Sequence, residues 1–161
     1  MIRVLLIFLF LSTPAIAKQG TFASYGLGIL DKNSTSADVK IFSLGYQDDW
    51  IWVFDHKYEM GLWTDVRRDM GRSSSGYVAY SVGLEPELDW FYIHSFWGLL
   101  LMTNPDAYLS TNFQFMQDLG IGFQGKKGSR IGVNYKHISN AGIKTPNKGR
   151  DFFQVKLQIP Y

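Results

Sequence analysis

A histidine, a serine and an aspartate in the last quarter of the chain have the types and spacing of a hydrolytic triad. His137 and Ser139 stand two positions apart, and Asp151 follows after a short polar segment. Alternate residues of a β-strand share one face at a separation of about 6.6 Å, which two side chains leaning together can close to a hydrogen bond. The imidazole would then take the serine proton, while the carboxylate fixes the imidazole tautomer. This pattern predicts a serine nucleophile.

Two β-strands are needed to position these residues. In the segment 130–139, His137 and Ser139 fall on the same face as the apolar Ile131 and Val133, and the opposite face is polar. In the segment 151–159, Asp151 shares a face with the alternating apolar residues. The three residues therefore extend an apolar face on a hairpin joined by residues 140–150. A histidine and serine without an acid are often only the polar end of such a face, so the matching aspartate is what favours a site.

The rest of the chain shows the same alternation. Asp55, Lys57 and Glu59 share one face of a segment whose other face is apolar, which predicts an ion network in a polar interior. Turn residues cut the chain into about eight strand-length segments: 21–30, 39–47, 50–63, 76–84, 88–102, 109–124, 130–139 and 151–159. An even number of strands, each about ten residues across the hydrocarbon, is typical of outer-membrane barrels. We therefore expect an all-β protein, an eight-stranded antiparallel transmembrane β-barrel.

The N-terminus predicts export. Residues 1–17 combine a basic start at Arg3, an apolar run over 4–11 and small residues at Ala15 and Ala17. The alternative is a membrane anchor, but the run is well short of the roughly 20 residues that a spanning helix needs. We expect a cleaved signal peptide over 1–17 and a single β-barrel domain over 18–161.

The composition excludes several classes of function. The chain has 161 residues, with 16 Lys and Arg against 14 Asp and Glu, which is too balanced for a nucleic-acid partner. It contains no cysteine, so disulfides, thiolate zinc sites and a cysteine nucleophile are excluded. No carboxylate spacing matches a calcium or zinc motif, and we expect no metal and no cofactor. His56 and His94 are interpreted as structural or interfacial, since neither has a carboxylate at a matching offset on its own face.

The residues around the predicted triad resemble a known family. The run 137–143, followed by 146–149 and Asp151, is similar to the active-site hairpin of the lipid A 3-O-deacylases, the PagL family, and the similarity extends to 113–115 and 120–123. The resemblance implies an eight-stranded outer-membrane barrel with a Ser-His-acid triad on its outer wall. That triad would hydrolyse the acyl ester at the 3 position of lipid A. His137 would be the base and Ser139 the nucleophile, and Asp151 stands where the family has glutamate, one methylene longer.

Residues near Ser139 and the C-terminal strand predict further roles and partners. Asn140 and Asn147 are predicted to form or support the oxyanion hole, although asparagine beside glycine is also ordinary turn chemistry. The expected partners are lipopolysaccharide in the outer leaflet and, through the aromatic C-terminal strand, the barrel-insertion machinery. Whether the barrel forms a homodimer is left open. Two other functions stay as alternatives: a non-catalytic adhesion or structural barrel, and another lipid-active barrel such as a phospholipase.

Overall fold

The computed structural model describes residues 19–29, 39–51, 54–65, 73–105 and 108–161. Their strands are β1 (Gly20–Ile29), β2 (Val39–Ile51), β3 (Phe54–Asp65), β4 (Ser73–Leu84), β5 (Glu87–Leu88), β6 (Phe91–Met102), β7 (Phe113–Gln124), β8 (Arg130–Ser139) and β9 (Arg150–Pro160). Within these ranges no helix has the length and apolar character to cross a membrane. The predicted signal peptide, 1–17, lies outside the described residues.

The sheet closes on itself. Its strand order is β4-β3-β2-β1-β9-β8-β7-β6, all neighbours are antiparallel, and β4 also pairs with β6. β5 is only a two-residue strand beside the start of β6. The described residues thus form the predicted barrel of eight long strands. Closure gives every long strand two partners, which satisfies its backbone polar groups in a medium that offers no water.

Strand boundaries near two aspartates differ from those predicted. The break was expected near 48–49, whereas β2 continues to Ile51 and pairs Asp48 with His56 and Asp49 with Asp55. A register shift between Asp49 and Ile51 marks the irregularity instead. Aspartate favours turns in isolation, but here the ladder to β3 satisfies the backbone and extends the strand.

β7 also begins later than predicted, at Phe113 instead of Leu109. Residues 108–112 are irregular, and the side-chain amide of Gln114 donates to the carbonyl oxygen of Leu109 at 2.8 Å. The predicted segment 88–102 is divided by a turn in which Asp89 has a φ of 53°. Side-chain hydrogen bonds such as that of Gln114 compete with the strand ladder and shorten the strand.

The predicted division between outer wall and lumen is confirmed. On β3, Met60 is 61% exposed on the apolar outer wall, whereas Lys57 is 1% exposed in the lumen. Asp55 and Glu59 are buried on the lumen side as well. Lys57 binds Asp118 and lies 3.5 Å from Glu59, so a network of buried charges fills the barrel.

The lumen is mainly apolar toward the end of the barrel opposite the chain termini. This end is here called the loop end. Buried apolar residues from seven strands and from the segment before β7 pack together there: Val39, Ile41, Trp63, Tyr77, Ala79, Leu100, Met102, Leu109, Met116, Ile138 and Phe152. Ile138 and Phe152 belong to β8 and β9, directly inside the hairpin that carries the predicted triad. This apolar plug gives that hairpin a rigid backing, since packed cores resist deformation.

Candidate active site

His137 and Asp151 meet on the outer wall at the loop end. They are directly paired across β8 and β9, and His137 Nδ1 lies 2.6 Å from Asp151 Oδ1. Their side chains are 36% and 38% exposed, so the pair is reachable from outside the barrel. A carboxylate at Nδ1 holds the proton on that nitrogen and leaves Nε2 as the basic atom. The pair has the geometry of a base oriented by an acid.

Ser139 follows His137 on the same outward face, at the last position of β8. Both residues line one groove on the outer wall, with a volume of about 540 Å³. The remaining lining is mainly apolar and comes from β4, β6 and β7: Tyr80, Val82, Trp97, Gly98, Leu99, Phe115, Met116 and Gln117. The groove therefore combines a polar edge, which carries the serine and the histidine, with a surface suited to hydrocarbon.

The loop after Ser139 is built around Asn140, which is fully buried. Its Oδ1 accepts from the backbone N–H of Gly142 at 2.9 Å, and its Nδ2 donates to the carbonyl oxygen of Lys144 at 2.7 Å and to Ser110 Oγ at 3.1 Å. The backbone N–H of Asn140 donates to Asn147 Oδ1 at 3.0 Å. In these contacts both asparagines support the loop next to Ser139.

The segment 108–110 holds this loop from the neighbouring side. Tyr108 accepts at its carbonyl oxygen from the backbone N–H of Lys148 at 3.1 Å, and the Arg150 guanidinium lies 4.4 Å from the centre of the Tyr108 ring. Arg150 also donates to Asp65 Oδ2 at 2.7 Å. Ser110 Oγ donates to the carbonyl oxygen of Lys144 at 3.1 Å. The loop is thus tied to the segment before β7, and the start of β9 is tied to β3.

Two outward residues beside the pair were given no role by the sequence. The Tyr135 hydroxyl donates to Asp151 Oδ1 at 2.6 Å, and Gln117 lies directly opposite His137 on β7. Tyr135 stood on the triad's face in the pattern, two positions before His137, but its contact depends on the register between β8 and β9. Gln117 interrupts an otherwise apolar outward face of β7, and that interruption was the signal available in the sequence.

His94 has carboxylate neighbours that its own strand does not supply. Its Nε2 lies 3.4 Å from Asp118 Oδ1 and its Nδ1 lies 3.8 Å from Glu85 Oε2. Both carboxylates come from outside β6, so an offset within one strand could not reveal them. His94 is buried in the lumen, away from the outer wall. In the described part of the chain, no group of three or more His, Asp or Glu residues is arranged to hold a metal ion.

Gly149 provides a direct test of the geometry around His137. It has a φ of +71°, and a Cβ added there would lie 2.8 Å from His137 Cε1. We expect Gly149→Ala to displace the imidazole and so to lower activity at least about tenfold. The barrel should still fold, because an alanine in the left-handed backbone conformation costs only about 1–2 kcal/mol. Steady-state kinetics and heat-dependent gel mobility measure the two effects.

Gly142 is the matched control. Its φ is +82°, but an added Cβ would have no atom within 4 Å. Gly142→Ala carries the same backbone strain without the steric clash. A loss of activity as large in Gly142→Ala as in Gly149→Ala would show that loop strain, and not the contact with His137, is responsible.

The fold and the position of the site define the class. This is a small outer-membrane β-barrel with a filled lumen, and its candidate site lies on the outer wall. The chain belongs to the lipid A 3-O-deacylase (PagL) family, whose model matches residues 35–160. An outer-membrane location and a lipid A deacylase activity follow from this membership.

Individual relatives agree with the family assignment. The chain is 31% identical over 131 residues to the lipid A deacylase PagL of Bordetella bronchiseptica, covering 70% of this chain and 71% of that protein. It is 34% identical over 55 residues to the lipid A deacylase PagL of Pseudomonas aeruginosa, a match that covers 34% of this chain and 32% of that protein.

Solved structures agree on the fold. The crystal structure of the outer membrane enzyme PagL superposes with a TM-score of 0.67 at 21% identity, covering 87% of this chain and 99% of that one. The Yersinia pestis outer membrane protein Ail superposes with a TM-score of 0.50 at 10% identity, covering 88% and 99%. At these identities the superpositions establish the barrel fold alone.

Proposed function

We propose that this outer-membrane lipid A deacylase hydrolyses the 3-O-linked acyl ester of lipid A with Ser139 as nucleophile, His137 as base and Asp151 as the orienting acid. The observation that carries the proposal is the 2.6 Å contact between His137 Nδ1 and Asp151 Oδ1 beside the groove that Ser139 lines. Titratable side chains on a lipid-facing wall are costly, so such a cluster indicates function.

The proposed reaction proceeds by acyl transfer to the serine. His137 Nε2 takes the Ser139 hydroxyl proton as the oxygen attacks the ester carbonyl carbon, and Asp151 stabilises the imidazolium that forms. Collapse of the tetrahedral intermediate breaks the ester C–O bond, and the imidazolium gives its proton to the sugar oxygen, which leaves as a hydroxyl group. Water, activated by the same histidine, then hydrolyses the acyl-enzyme. The products are a 3-hydroxy fatty acid and lipid A that lacks one acyl chain.

The placement of the site supports a substrate that stays in the bilayer. The lumen is filled by buried charges such as Lys57 and Asp118, so it offers no path for a lipid. The groove opens on the outer wall, where apolar residues such as Trp97 and Leu99 are exposed. A lipid A molecule can therefore reach Ser139 by lateral diffusion, with its acyl chain against the groove.

The oxyanion would form beside the loop that follows Ser139. Two N–H donors aimed at the developing negative charge usually supply the largest stabilisation of such intermediates. We propose that Asn140 and Asn147 contribute mainly by shaping this loop, because the amide hydrogens of Asn140 are directed to Lys144 and Ser110. A direct donor role of Asn147 Nδ2 is compatible with its contact to the Asn140 N–H, since that contact uses only its oxygen.

The C-terminal strand supports the proposed partner in assembly. On β9, Val155, Leu157 and Ile159 alternate as exposed apolar residues with the buried Lys156 and Gln158, and the chain continues to an exposed Tyr161. We propose that this amphipathic, aromatic end is what the barrel-insertion machinery binds.

Mass spectrometry of lipid A tests the proposed function. We expect cells that produce the wild-type protein to lose the mass of one 3-hydroxyacyl chain from lipid A, and cells with Ser139→Ala to retain it. Ser95→Ala is the matched control, because Ser95 is also a half-buried serine on the outer wall, facing Leu119 on β7. Identical spectra for wild type and Ser139→Ala would contradict the proposal. Loss of an acyl chain from phospholipid instead would favour the phospholipase alternative.

A further inference from the structure

We propose that Tyr135 is a positioning residue that holds the Asp151 carboxylate in place for His137. This inference rests on the proposed Ser-His-Asp triad and deepens it. The Tyr135 hydroxyl donates to Asp151 Oδ1 at 2.6 Å, and His137 Nδ1 contacts the same oxygen at 2.6 Å. Two donors thus converge on one carboxylate oxygen on the outer wall.

The position of the Tyr135 ring is itself fixed by the strands. Tyr135 lies on β8 two positions before His137, so both side chains project from the same face. It is paired across the hairpin with Phe153, and the two rings lie 5.9 Å apart at 63° in an edge-to-face arrangement. Such aromatic pairs prefer this geometry and stabilise it. The hydroxyl is therefore aimed at Asp151 by backbone register and by ring packing.

The short side chain of Asp151 explains why a second donor matters. An aspartate side chain has a single methylene, so the Asp151 carboxylate reaches only a short distance from the β9 backbone. Direct pairing of Asp151 with His137 makes this reach sufficient, but it leaves the orientation of the carboxylate to one contact. A hydrogen bond from Tyr135 removes that freedom, and hydrogen bonds to charged groups are among the stronger ones in proteins.

The surroundings also require a donor at this carboxylate. The next outward residues of β9, Phe153 and Val155, are exposed apolar side chains of the lipid-facing wall. Water is scarce at such a wall, and a carboxylate there is costly unless protein groups satisfy it. Tyr135 supplies a donor that does not depend on solvent. The alternative role, an aromatic anchor at the membrane surface, would need the ring but not the hydroxyl.

Tyr135→Phe separates these two roles, because it removes only the hydroxyl. We expect kcat for release of the fatty acid to fall about tenfold with KM unchanged, since a hydrogen bond to a charged group is lost while the groove stays intact. Tyr25→Phe is the matched control: Tyr25 is an exposed outer-wall tyrosine on β1, paired with Val155. An unchanged kcat in Tyr135→Phe would overturn the inference.

A double-mutant cycle tests whether Tyr135 acts through Asp151. In an Asp151→Ala background the hydroxyl has lost its acceptor, so we expect Tyr135→Phe to cause no further decrease in the residual activity. The same tenfold decrease in both backgrounds would overturn the inference, because Tyr135 would then act without Asp151. Heat-dependent gel mobility of all four proteins confirms that each barrel is folded.

A nuclear magnetic resonance experiment tests the role of Tyr135 independently of the proposed function. The chain contains three histidines, so ¹⁵N-labelled histidine gives few signals, and His137→Asn assigns the one of interest. We expect a protected Nδ1 proton of His137 in the wild type and faster exchange of that proton with water in Tyr135→Phe. This readout needs no substrate. Equal exchange in the two proteins would overturn the positioning role, whereas absence of deacylase activity with altered exchange would contradict only the proposed function.

Discussion

Replacing His137 by asparagine is expected to lower kcat for release of the 3-hydroxy fatty acid by at least about a thousandfold. Asparagine retains a polar side chain of similar length but has no basic nitrogen, so the Ser139 hydroxyl keeps its proton. The Asp151 carboxylate then has no imidazolium to stabilise. Kinetics with purified lipid A in detergent micelles measures the effect. KM should change little, because the apolar groove that accommodates the acyl chain is intact.

His56→Asn is the matched control for this prediction. His56 also projects from the outer wall, on β3, where its ring packs against Tyr58 and Tyr80. It is distant in sequence from the candidate triad and is paired with Asp48 on β2. Full activity of His56→Asn beside inactive His137→Asn would support the assignment. Activity of His137→Asn within tenfold of the wild type would instead remove His137 from the mechanism.

The second large effect concerns the lumen. Lys57→Met is expected to destabilise the barrel by about 3–5 kcal/mol, because it removes the lysine that the buried Asp118 carboxylate binds directly, whereas Glu59 keeps its ion pair with Lys136. Lys57 lies between Asp118, which it binds directly, and Glu59, and its side chain is 1% exposed. Folding from urea into detergent micelles, followed by the shift in gel mobility on heating, measures the loss of free energy.

Two further variants define the cause of that loss. Lys127→Met changes an exposed lysine in the turn between β7 and β8 and should leave the stability unchanged. Adding Asp118→Asn to Lys57→Met removes the carboxylate that has lost its lysine and should restore part of the free energy of folding. A Lys57→Met barrel as stable as the wild type would show that the lumen is hydrated enough to solvate the Asp118 carboxylate.

The alternation of side chains made most of the fold predictable. Each strand exposes one face to lipid, so residues such as Met60 and Lys57 could be assigned to opposite sides from parity alone. Strand ends were less predictable, because Asp48 and Asp49 favour turns locally but are held in a strand by pairing with β3. The ladder that decides between these outcomes is a tertiary interaction and leaves no local signal.

The sequence predicted which residues of the candidate site share one face of their strands. Parity placed His137 and Asp151 on the outer wall, and the structure pairs them directly. The contact of Tyr135 with the same carboxylate required the register of the hairpin, which its sequence does not specify. The support of the loop by Ser110 and Tyr108 joins residues far apart in the chain, as does the contact between His94 and Asp118, and such contacts become visible only after the barrel closes.

The filled lumen also bears on the permeability of the membrane. Lys57, Glu59, Asp118 and Lys136 neutralise one another across the interior, and the apolar plug occupies the loop end of the barrel. We expect such an interior to conduct neither ions nor small solutes. Because the candidate site lies on the outer wall, a cell can therefore carry many copies of this enzyme and remodel its surface lipid without weakening the outer membrane as a barrier.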